Sequence, residues 1–162
     1  MAEYEHLSHG FGPVCDENSA VLILGSFPSV KSREQQFYYG HPQNRFWKVL
    51  AAVFASPLPV TVEEKKRFVL ENRVALWDVI DSCDIIGSSD SSIKNVIPAD
   101  ISSLAARYGI ERIFCNGGRS YELYMKHVFP TSHIPAAKLP STSPANAAFS
   151  LEKLVEHWRQ IR

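Results

Sequence analysis

The chain has 162 residues, of which 45% are hydrophobic and 21% are charged, so its length and composition suit a single globular domain over residues 1–162. Its 17 basic residues balance 17 acidic ones. Zero net charge argues against a protein that coats nucleic acid nonspecifically, because such proteins usually carry a net positive field.

Apolar runs, helix caps and glycine positions predict the secondary structure. In chain order, the predicted elements are a strand over Ala20–Leu24, a helix over Arg45–Phe54, a helix capped by Thr61 and running to about Asn72, a strand over Val74–Val79, a loop over Ser82–Asn95, a helix over Asp100–Tyr108, a strand over Ile110–Cys115, a helix over Arg119–Val128, a strand over Ala137–Leu139 and a last helix carrying Leu151 through Ile161.

Strands that alternate with helices indicate an α/β fold. We expect a three-layer α/β/α sandwich around a mainly parallel, four-stranded central sheet. Ligand sites in such sheets lie at the carboxyl ends of the strands. Four segments are therefore expected to meet in one site, namely those that follow Leu24, Trp77, Cys115 and Leu139.

Several classes of protein and site are disfavoured. No apolar run approaches the roughly 20 residues of a membrane helix, and the first residues lack the features of a secretory signal. We therefore expect a cytoplasmic protein, or a nuclear one in a eukaryote. Three scattered cysteines, and six histidines without ligand spacing, argue against a disulfide framework, a metal site or an iron–sulfur site.

The most unusual segment lies between Gly25 and Trp47. A turn, GSFPS, ends the first strand at Gly25–Ser29, and FYYGHPQNRFW follows at Phe37–Trp47. Three aromatic residues there precede a Gly-His-Pro turn, and Asn44 stands at the start of an amphipathic helix. From chemistry alone, the segment is equally well a helix cap at Asn44 or Gln43 beside a buried aromatic cluster, or a functional site.

Three blocks of the sequence resemble the uracil-DNA glycosylase superfamily. GSFPS with YYGHPQNRFWKVL is similar to the first conserved block, nearest to the mismatch-specific branch. LPSTSPANA, at Leu139–Ala147, resembles the late Pro-Ser loop that presses into the duplex, and VALWDV resembles the strand whose end reads the extracted base. The blocks span most of the chain in the family's order. The resemblance implies an enzyme of base excision repair that acts on DNA.

Two departures point to one branch of that superfamily. Phe27 stands where most members carry a water-activating Asn or Asp, and Leu139 stands where the uracil enzymes carry His. Both resemble the hypoxanthine-DNA (deoxyinosine) glycosylases, in which the catalytic Asn belongs to the HPxNxFW segment and is here Asn44. The branch implies removal of hypoxanthine from DNA containing deaminated bases. We expect a monomer with no cofactor, and no lyase step because the matched motifs offer no Schiff-base lysine.

The same resemblance implies the residues that hold the base. Tyr39 occupies the stacking position, although core packing is the alternative. The backbone amides of Ser26 and Phe27 are expected to bind a carbonyl oxygen of the base. Asp78 stands where relatives place a base-reading Asn, and as an acceptor it suits the N1–H of hypoxanthine; a helix or turn cap is equally compatible.

Contacts with the DNA backbone are expected from the late loop. Ser141, Thr142 and Ser143 are expected to donate hydrogen bonds to phosphates. Pro144, Ala145 and Asn146 are expected at the tip that fills the gap in the base stack. A basic patch near the first block is a further possibility, with ordinary surface charges as the alternative; its members are Lys31, Arg33, Arg45 and Lys48.

Other interpretations stay open. Asn116-Gly117-Gly118 at a helix start is either a phosphate site or a tight turn, and the polar loop near Ser88 either borders the pocket or is ordinary surface. The same fold acting on uracil or mismatched bases is one alternative function. A domain that binds DNA or a nucleotide without catalysis is another.

Overall fold

The computed structural model describes residues 3–162, apart from the side chain of Asp90. The strands are β1 Glu5–Ser8, β2 Val21–Gly25, β3 Val74–Asp78, β4 Ile80–Ile85, β5 Lys94–Pro98, β6 Arg112–Asn116 and β7 Ala136–Leu139. The helices are α1 Val30–Gln35, α2 Phe46–Val53, α3 Val62–Glu71, α4 Ile101–Tyr108, α5 Gly118–His127, α6 Phe129–Ser132 and α7 Leu151–Trp158, with 3₁₀ turns at Asp90–Ser92 and Arg159–Ile161.

The central sheet is parallel throughout, in the order β3-β2-β6-β7. Its four strands are the four predicted from apolar runs, with ends that differ by one or two residues. Every residue of β2 is buried because this inner strand has helices on both faces. The parallel order brings the carboxyl ends of all four strands to one edge.

Side chains of β2 alternate between two apolar cores. Val21 and Ile23 pack with α2, α3 and α7 on one face, and Leu22 and Leu24 pack with α4 and α5 on the other. This alternation follows from the two-residue period of a strand. The predicted three-layer α/β/α sandwich is therefore confirmed.

A second sheet, antiparallel and ordered β1-β4-β5, was not predicted. The predicted loop over Ser82–Asn95 is wrong at both ends, where it belongs to β4 and β5. Ile80 and Ile85 of β4 are buried, but exposed or half-buried aspartates lie between them and the pairing shifts register along the strand. The polar residues look like a loop in sequence, whereas the strand is stabilised by pairing with β1, which is distant in sequence, and with β5, which follows after a short connection.

Helix caps lie where the sequence places them. Thr61 and Glu64 form a capping box at the start of α3, Asp100 caps α4, and Gly109 ends α4 with a φ of 66°. The short helix α1, capped by Ser29, was not predicted. Within residues 3–162, none of the helices has the length and apolarity needed to span a membrane.

Candidate active site

The four strand ends meet in a cavity of about 450 Å³, a volume within the usual range for small-molecule sites. Gly25–Ser29 after β2, Asp78 at the end of β3, Asn116 at the end of β6 and Ser141–Pro144 after β7 all line it. Tyr39 and Asn44 complete the lining from the segment before α2. The segments that the sequence analysis expected to meet are thus brought together.

Gly25 allows the strand β2 to pass close to the floor of the pocket. A β-carbon on Gly25 would lie 2.4 Å from Oδ1 of Asp78 and 3.2 Å from the hydroxyl of Tyr39. Phe27, two residues further on, is buried in the core beside α4 and α5 while also lining the pocket. Phe27 therefore presents an apolar wall at the position where the family resemblance would place a polar, water-activating side chain.

Asp78 forms a buried pair with His9, a residue that the sequence analysis did not single out. Nε2 of His9 lies 2.7 Å from Oδ2 of Asp78, and each side chain is only 5% exposed. Nδ1 of His9 lies 2.7 Å from the carbonyl oxygen of Phe11. The alternative that Asp78 is a helix or turn cap is therefore wrong, because its carboxylate binds an imidazole instead.

The charge of Asp78 affects its neighbours. Burial alone would lower the pKa of His9, but the hydrogen bond and charge of Asp78, with the Phe11 carbonyl, raise that pKa overall. Burial and the same negative charge raise the pKa of Tyr38 and of Tyr39. Both phenols are therefore neutral at physiological pH, so Asp78 lies at the floor of the pocket among uncharged tyrosine rings.

Tyr39 stacks on Phe46 of α2, with ring centroids 3.8 Å apart and planes at 18°. One face of the Tyr39 ring is thus covered by the core, as the packing alternative expected, and only the other face is available to a base. The backbone of Tyr39 lies in the left-handed region with a φ of 52°. Its hydroxyl is buried and makes no hydrogen bond within residues 3–162.

Asn44 belongs to a network of side chains that joins three segments of the chain. Its Oδ1 accepts from the hydroxyl of Thr142 at 2.8 Å and from the backbone N–H of Phe46 at 3.0 Å. Asn116 in turn donates from Nδ2 to Oγ1 of Thr142 at 3.0 Å and accepts from the Thr142 N–H at 3.1 Å. Asn44 therefore accepts from the first N–H of α2, whose N-cap residue is Arg45, and it also lines the pocket. Its position is compatible with both interpretations left open by sequence, and its catalytic role stays a prediction.

This network fixes how the Asn44 amide is turned. Because Phe46 N–H and the Thr142 hydroxyl are both donors to Asn44, the amide oxygen points towards them. Both lone pairs of that oxygen are in use. The carbonyl oxygen of Asn44 is therefore occupied, and the group left available to hold a water molecule is its Nδ2 amide.

The late loop differs from expectation at one residue. Thr142 is completely buried, and its hydroxyl already binds Asn44 and Asn116, so the expected phosphate contact by Thr142 is wrong. Ser141 and Ser143 are half-buried, and their Oγ atoms accept from backbone N–H groups of the same loop. Each of these two hydroxyls keeps its own proton to donate.

The tip of the loop is exposed at Pro144 and Ala145. Asn146 is half-buried and donates from Nδ2 to the carbonyl of Ser141, closing the loop on itself. Arg45 holds the loop from the other side, because its guanidinium donates to the carbonyls of Phe149, Ser143 and Asn146. Arg45 is therefore a structural contact within the protein rather than part of a free basic patch.

The remaining polar candidates divide between the pocket and the surface. Ser88 lines the pocket and accepts from the N–H of Val30, so the polar loop does border the site. Asn116 also faces the pocket, where sequence suggested a phosphate site or a turn. Lys31 lines the rim with an exposed side chain paired to Glu34 at 3.4 Å. In residues 3–162, no cluster of three or more His, Cys, Asp or Glu could hold a metal ion.

Comparison with known proteins decides the family. The sequence profile of the uracil DNA glycosylase superfamily matches residues 11–162. The chain belongs to the uracil DNA glycosylase superfamily. This membership confirms the family inferred from the three sequence blocks.

Relatives within the superfamily match over most of the chain. A protein of Methanosarcina acetivorans named hypoxanthine DNA glycosylase is 36% identical over 159 residues, which cover 96% of this chain and 98% of that protein. A Methanosarcina barkeri protein of the same name is 38% identical over 87 residues, about half of each chain. The solution structure of a candidate uracil DNA glycosylase from M. acetivorans aligns with a TM-score of 0.78 at 33% identity, covering 95% of this chain and 98% of that one.

Proposed function

We infer that this protein is a DNA glycosylase that hydrolyses the bond between deoxyribose and a deaminated base, chiefly hypoxanthine. The observation that carries this function is the composition of the pocket: an amide, Asn44, and a carboxylate, Asp78, face one cavity whose first turn carries Phe27. The M. acetivorans relative of nearly the same length, named hypoxanthine DNA glycosylase, supports the choice of base.

The shape of the site suits a base taken out of the duplex. A stacked base cannot be reached, so the nucleotide must rotate into a pocket, at a cost of a few kcal/mol. The cavity of about 450 Å³ is open at the edge formed by the strand ends and is walled by Phe27, Tyr38 and Tyr39. Apolar and aromatic walls exclude water and offer the free face of Tyr39 for stacking.

Base recognition is assigned to the floor of the pocket. Oδ2 of Asp78 binds His9, which leaves Oδ1 to accept a hydrogen bond from a base. Hypoxanthine presents an N1–H donor, whereas adenine presents a bare N1 acceptor at the same position. The backbone amides of Ser26 and Phe27 are proposed to bind the adjacent carbonyl oxygen O6.

Catalysis is assigned to Asn44. Cleavage of the N-glycosidic bond passes through an oxocarbenium-like sugar, so the water needs to be positioned more than deprotonated. The Nδ2 amide of Asn44 can donate to that water and hold it beside C1′. Water then supplies hydroxide to C1′ and a proton to the departing base, which leaves an abasic site and the free base.

DNA contacts are assigned to the exposed part of the late loop. Ser141 and Ser143 are proposed to donate to phosphates, and Pro144 with Ala145 to occupy the space left in the base stack, with Asn146 shaping the loop behind them. Thr142 is not part of this surface because it is buried. Arg45 stabilises the loop from within through its three carbonyl contacts.

A base-release assay tests this function. Purified protein is incubated with duplexes that contain deoxyinosine, deoxyuridine opposite G or A, or deoxyxanthosine, and with single strands. We expect hypoxanthine release from deoxyinosine to be fastest. If deoxyinosine stays intact while a competent control enzyme cleaves it, the function is refuted, and binding without release would favour a non-catalytic domain.

The role of Asn44 is tested by Asn44→Ala against Gln43→Ala. Gln43 is an exposed neighbouring amide that does not line the pocket, which makes it a matched control. Asn44→Ala is expected to lower the single-turnover rate at least 100-fold, the order found when one directed hydrogen-bonding group is removed from an active site. Equal rates for the two variants would move catalysis to another residue.

Faster release of uracil would favour the alternative that the candidate uracil DNA glycosylase structure suggests. Against it, Leu139 is buried and apolar where the uracil enzymes carry a donor. We further propose that the enzyme is monofunctional. Lys31 lies on the pocket rim, so borohydride trapping tests this directly: a covalent DNA adduct lost in Lys31→Ala would refute it.

The remaining expectations concern the state of the protein. We propose that one domain over 1–162 carries the activity, that it acts as a monomer, and that it acts in the cytoplasm or, in a eukaryote, in the nucleus. Light scattering after gel filtration tests the monomer; a dimer mass that persists on dilution would refute it.

A further inference from the structure

The imidazole of His9 lies between two oxygen acceptors below the pocket. The Phe11 carbonyl can only accept, so Nδ1 of His9 must carry a proton at this 2.7 Å contact. Nε2 faces Oδ2 of Asp78 at the same distance. One further proton lies between Nε2 and Oδ2, and both side chains are almost fully buried.

For both possible positions of that shared proton, Oδ1 of Asp78 presents a hydrogen-bond acceptor towards the base. With the proton on His9, Asp78 is a carboxylate and Oδ1 is an acceptor. With the proton on Oδ2, that O–H group donates to Nε2 of His9. Oδ1 is then the carbonyl oxygen of the neutral acid and is again an acceptor. Oδ1 of Asp78 therefore cannot become a donor while His9 occupies this position.

We propose that His9 is a positioning residue that keeps Asp78 a permanent hydrogen-bond acceptor, and thereby makes the pocket select bases with an N–H at the reading position over adenine. This inference rests on the proposed function. It gives the aspartate an advantage over an asparagine, whose amide can turn either a donor or an acceptor towards the base.

The surroundings favour this arrangement. Asp81 of β4 adds a negative charge that favours protonated His9, and its backbone carbonyl accepts from the backbone N–H of His9 at 2.7 Å, which holds residue 9 in place. Tyr38 and Tyr39, on which the charge of Asp78 acts, have raised pKa values and stay neutral. Phe11, Phe27 and Tyr38 enclose the imidazole with ring centroids within 6.2 Å.

Without His9, Asp78 would lose its buried partner. Burial then favours the neutral carboxylic acid, whose proton is free to move to Oδ1. Protonated Oδ1 would repel the N1–H of hypoxanthine and could donate to N1 of adenine. His9→Phe is therefore expected to introduce a requirement for high pH, whereas His9→Gln retains an N–H donor for Asp78.

The experiment measures single-turnover release from deoxyinosine and deoxyadenosine duplexes between about pH 5 and pH 8. In His9→Phe we expect the deoxyinosine rate to fall about tenfold per pH unit on the acid side, where the wild type stays nearly flat. We expect the ratio of its rates on deoxyinosine and deoxyadenosine duplexes to fall by about 10- to 100-fold. His9→Gln should restore most of the wild-type profile.

A rate that falls equally at every pH in His9→Phe, with unchanged preference, would show a merely structural role and overturn the inference. If His9→Phe does not fold, imidazole ¹⁵N spectra of the wild type decide: a proton on Nδ1 is expected, and an unprotonated Nδ1 overturns the inference. If the wild type itself releases no base, the proposed function is refuted. The ¹⁵N spectra would still show whether Nδ1 of His9 carries a proton in the His9–Asp78 pair.

Discussion

Replacing Thr142 by Val tests the network that orients the catalytic amide. Valine has nearly the shape of threonine but lacks the hydroxyl that donates to Asn44 at 2.8 Å and accepts from Asn116 at 3.0 Å. The backbone contacts of residue 142, to Asn116 and to the N–H of Arg45, do not depend on the side chain. The loop therefore stays in place while the Asn44 amide loses one of its two donors and keeps only the Phe46 N–H.

The magnitude follows from the two lost bonds. Each buried hydrogen bond contributes about 0.5–1.5 kcal/mol net, so the free energy of unfolding should fall by about 1–3 kcal/mol. For a domain of this size that corresponds to a fall in Tm of roughly 2–12 °C. If one bond of about 1.4 kcal/mol holds the productive orientation of Asn44, the excision rate falls about tenfold.

The assays are urea unfolding and single-turnover release of hypoxanthine, with Thr142→Ser as the control. Serine keeps the hydroxyl and loses a buried methyl group, so it should lower stability by about 1 kcal/mol while keeping the rate within about threefold. The reasoning fails if Thr142→Val is destabilised as expected but excises hypoxanthine as fast as Thr142→Ser, because Asn44 would then be oriented without Thr142.

Gly25→Ala places a β-carbon 2.4 Å from Oδ1 of Asp78. We expect it to lower the free energy of unfolding by about 1–3 kcal/mol and to displace the side chain of Asp78. Gly12→Ala, where a β-carbon has open space, is the control, and equal melting temperatures of the two variants would contradict the clash. Arg45→Lys loses the forked guanidinium contacts to the late loop. We expect faster backbone amide hydrogen exchange over residues 141–149 and a higher DNA concentration for the half-maximal rate. Unchanged exchange would show that the loop keeps its conformation without Arg45. Because the pKa of His9 is raised above its ordinary 6.5, its contribution to stability is full below that ordinary value and is lost as pH rises through the raised one. Urea unfolding should show this loss of free energy of unfolding in the wild type and not in His9→Gln, which has no titratable imidazole but still donates to Asp78. The same pH dependence in both proteins would contradict the assignment to His9.

Local sequence signals predicted most of the fold. Apolar runs such as Val21–Leu24, bounded by a glycine and too short for a typical helix, indicate buried strands between two helical layers. The caps at Thr61 and Gly109 fix helix ends by bonds within four residues. The strand β4 was missed because its partners, β1 and β5, lie elsewhere in the chain. A run of aspartate and serine residues does not by itself indicate that the segment pairs with other strands.

The candidate site could likewise be predicted only where a local pattern or a family motif marks the residue. The rule for carboxyl ends located Asp78 and the late loop, and the family resemblance supplied Asn44. His9 lies 69 residues from its partner, and nothing in its neighbourhood in sequence signals the pair. Thr142 was assigned to phosphate because a hydroxyl in a polar loop looks the same in sequence whether it faces DNA or two buried amides.

The His9–Asp78 pair has a practical consequence for anyone who trims this protein. The profile shared by the superfamily begins at residue 11, so an expression design cut at that boundary would discard His9 together with β1. Removal of β1 would expose the backbone edge of β4 to pairing with other chains, and Asp78 would be left uncompensated beneath the pocket. The segment 3–10, which such a cut would remove, thus carries β1 and the residue proposed to hold Asp78 in place. Shortened forms should be judged for solubility and base preference together.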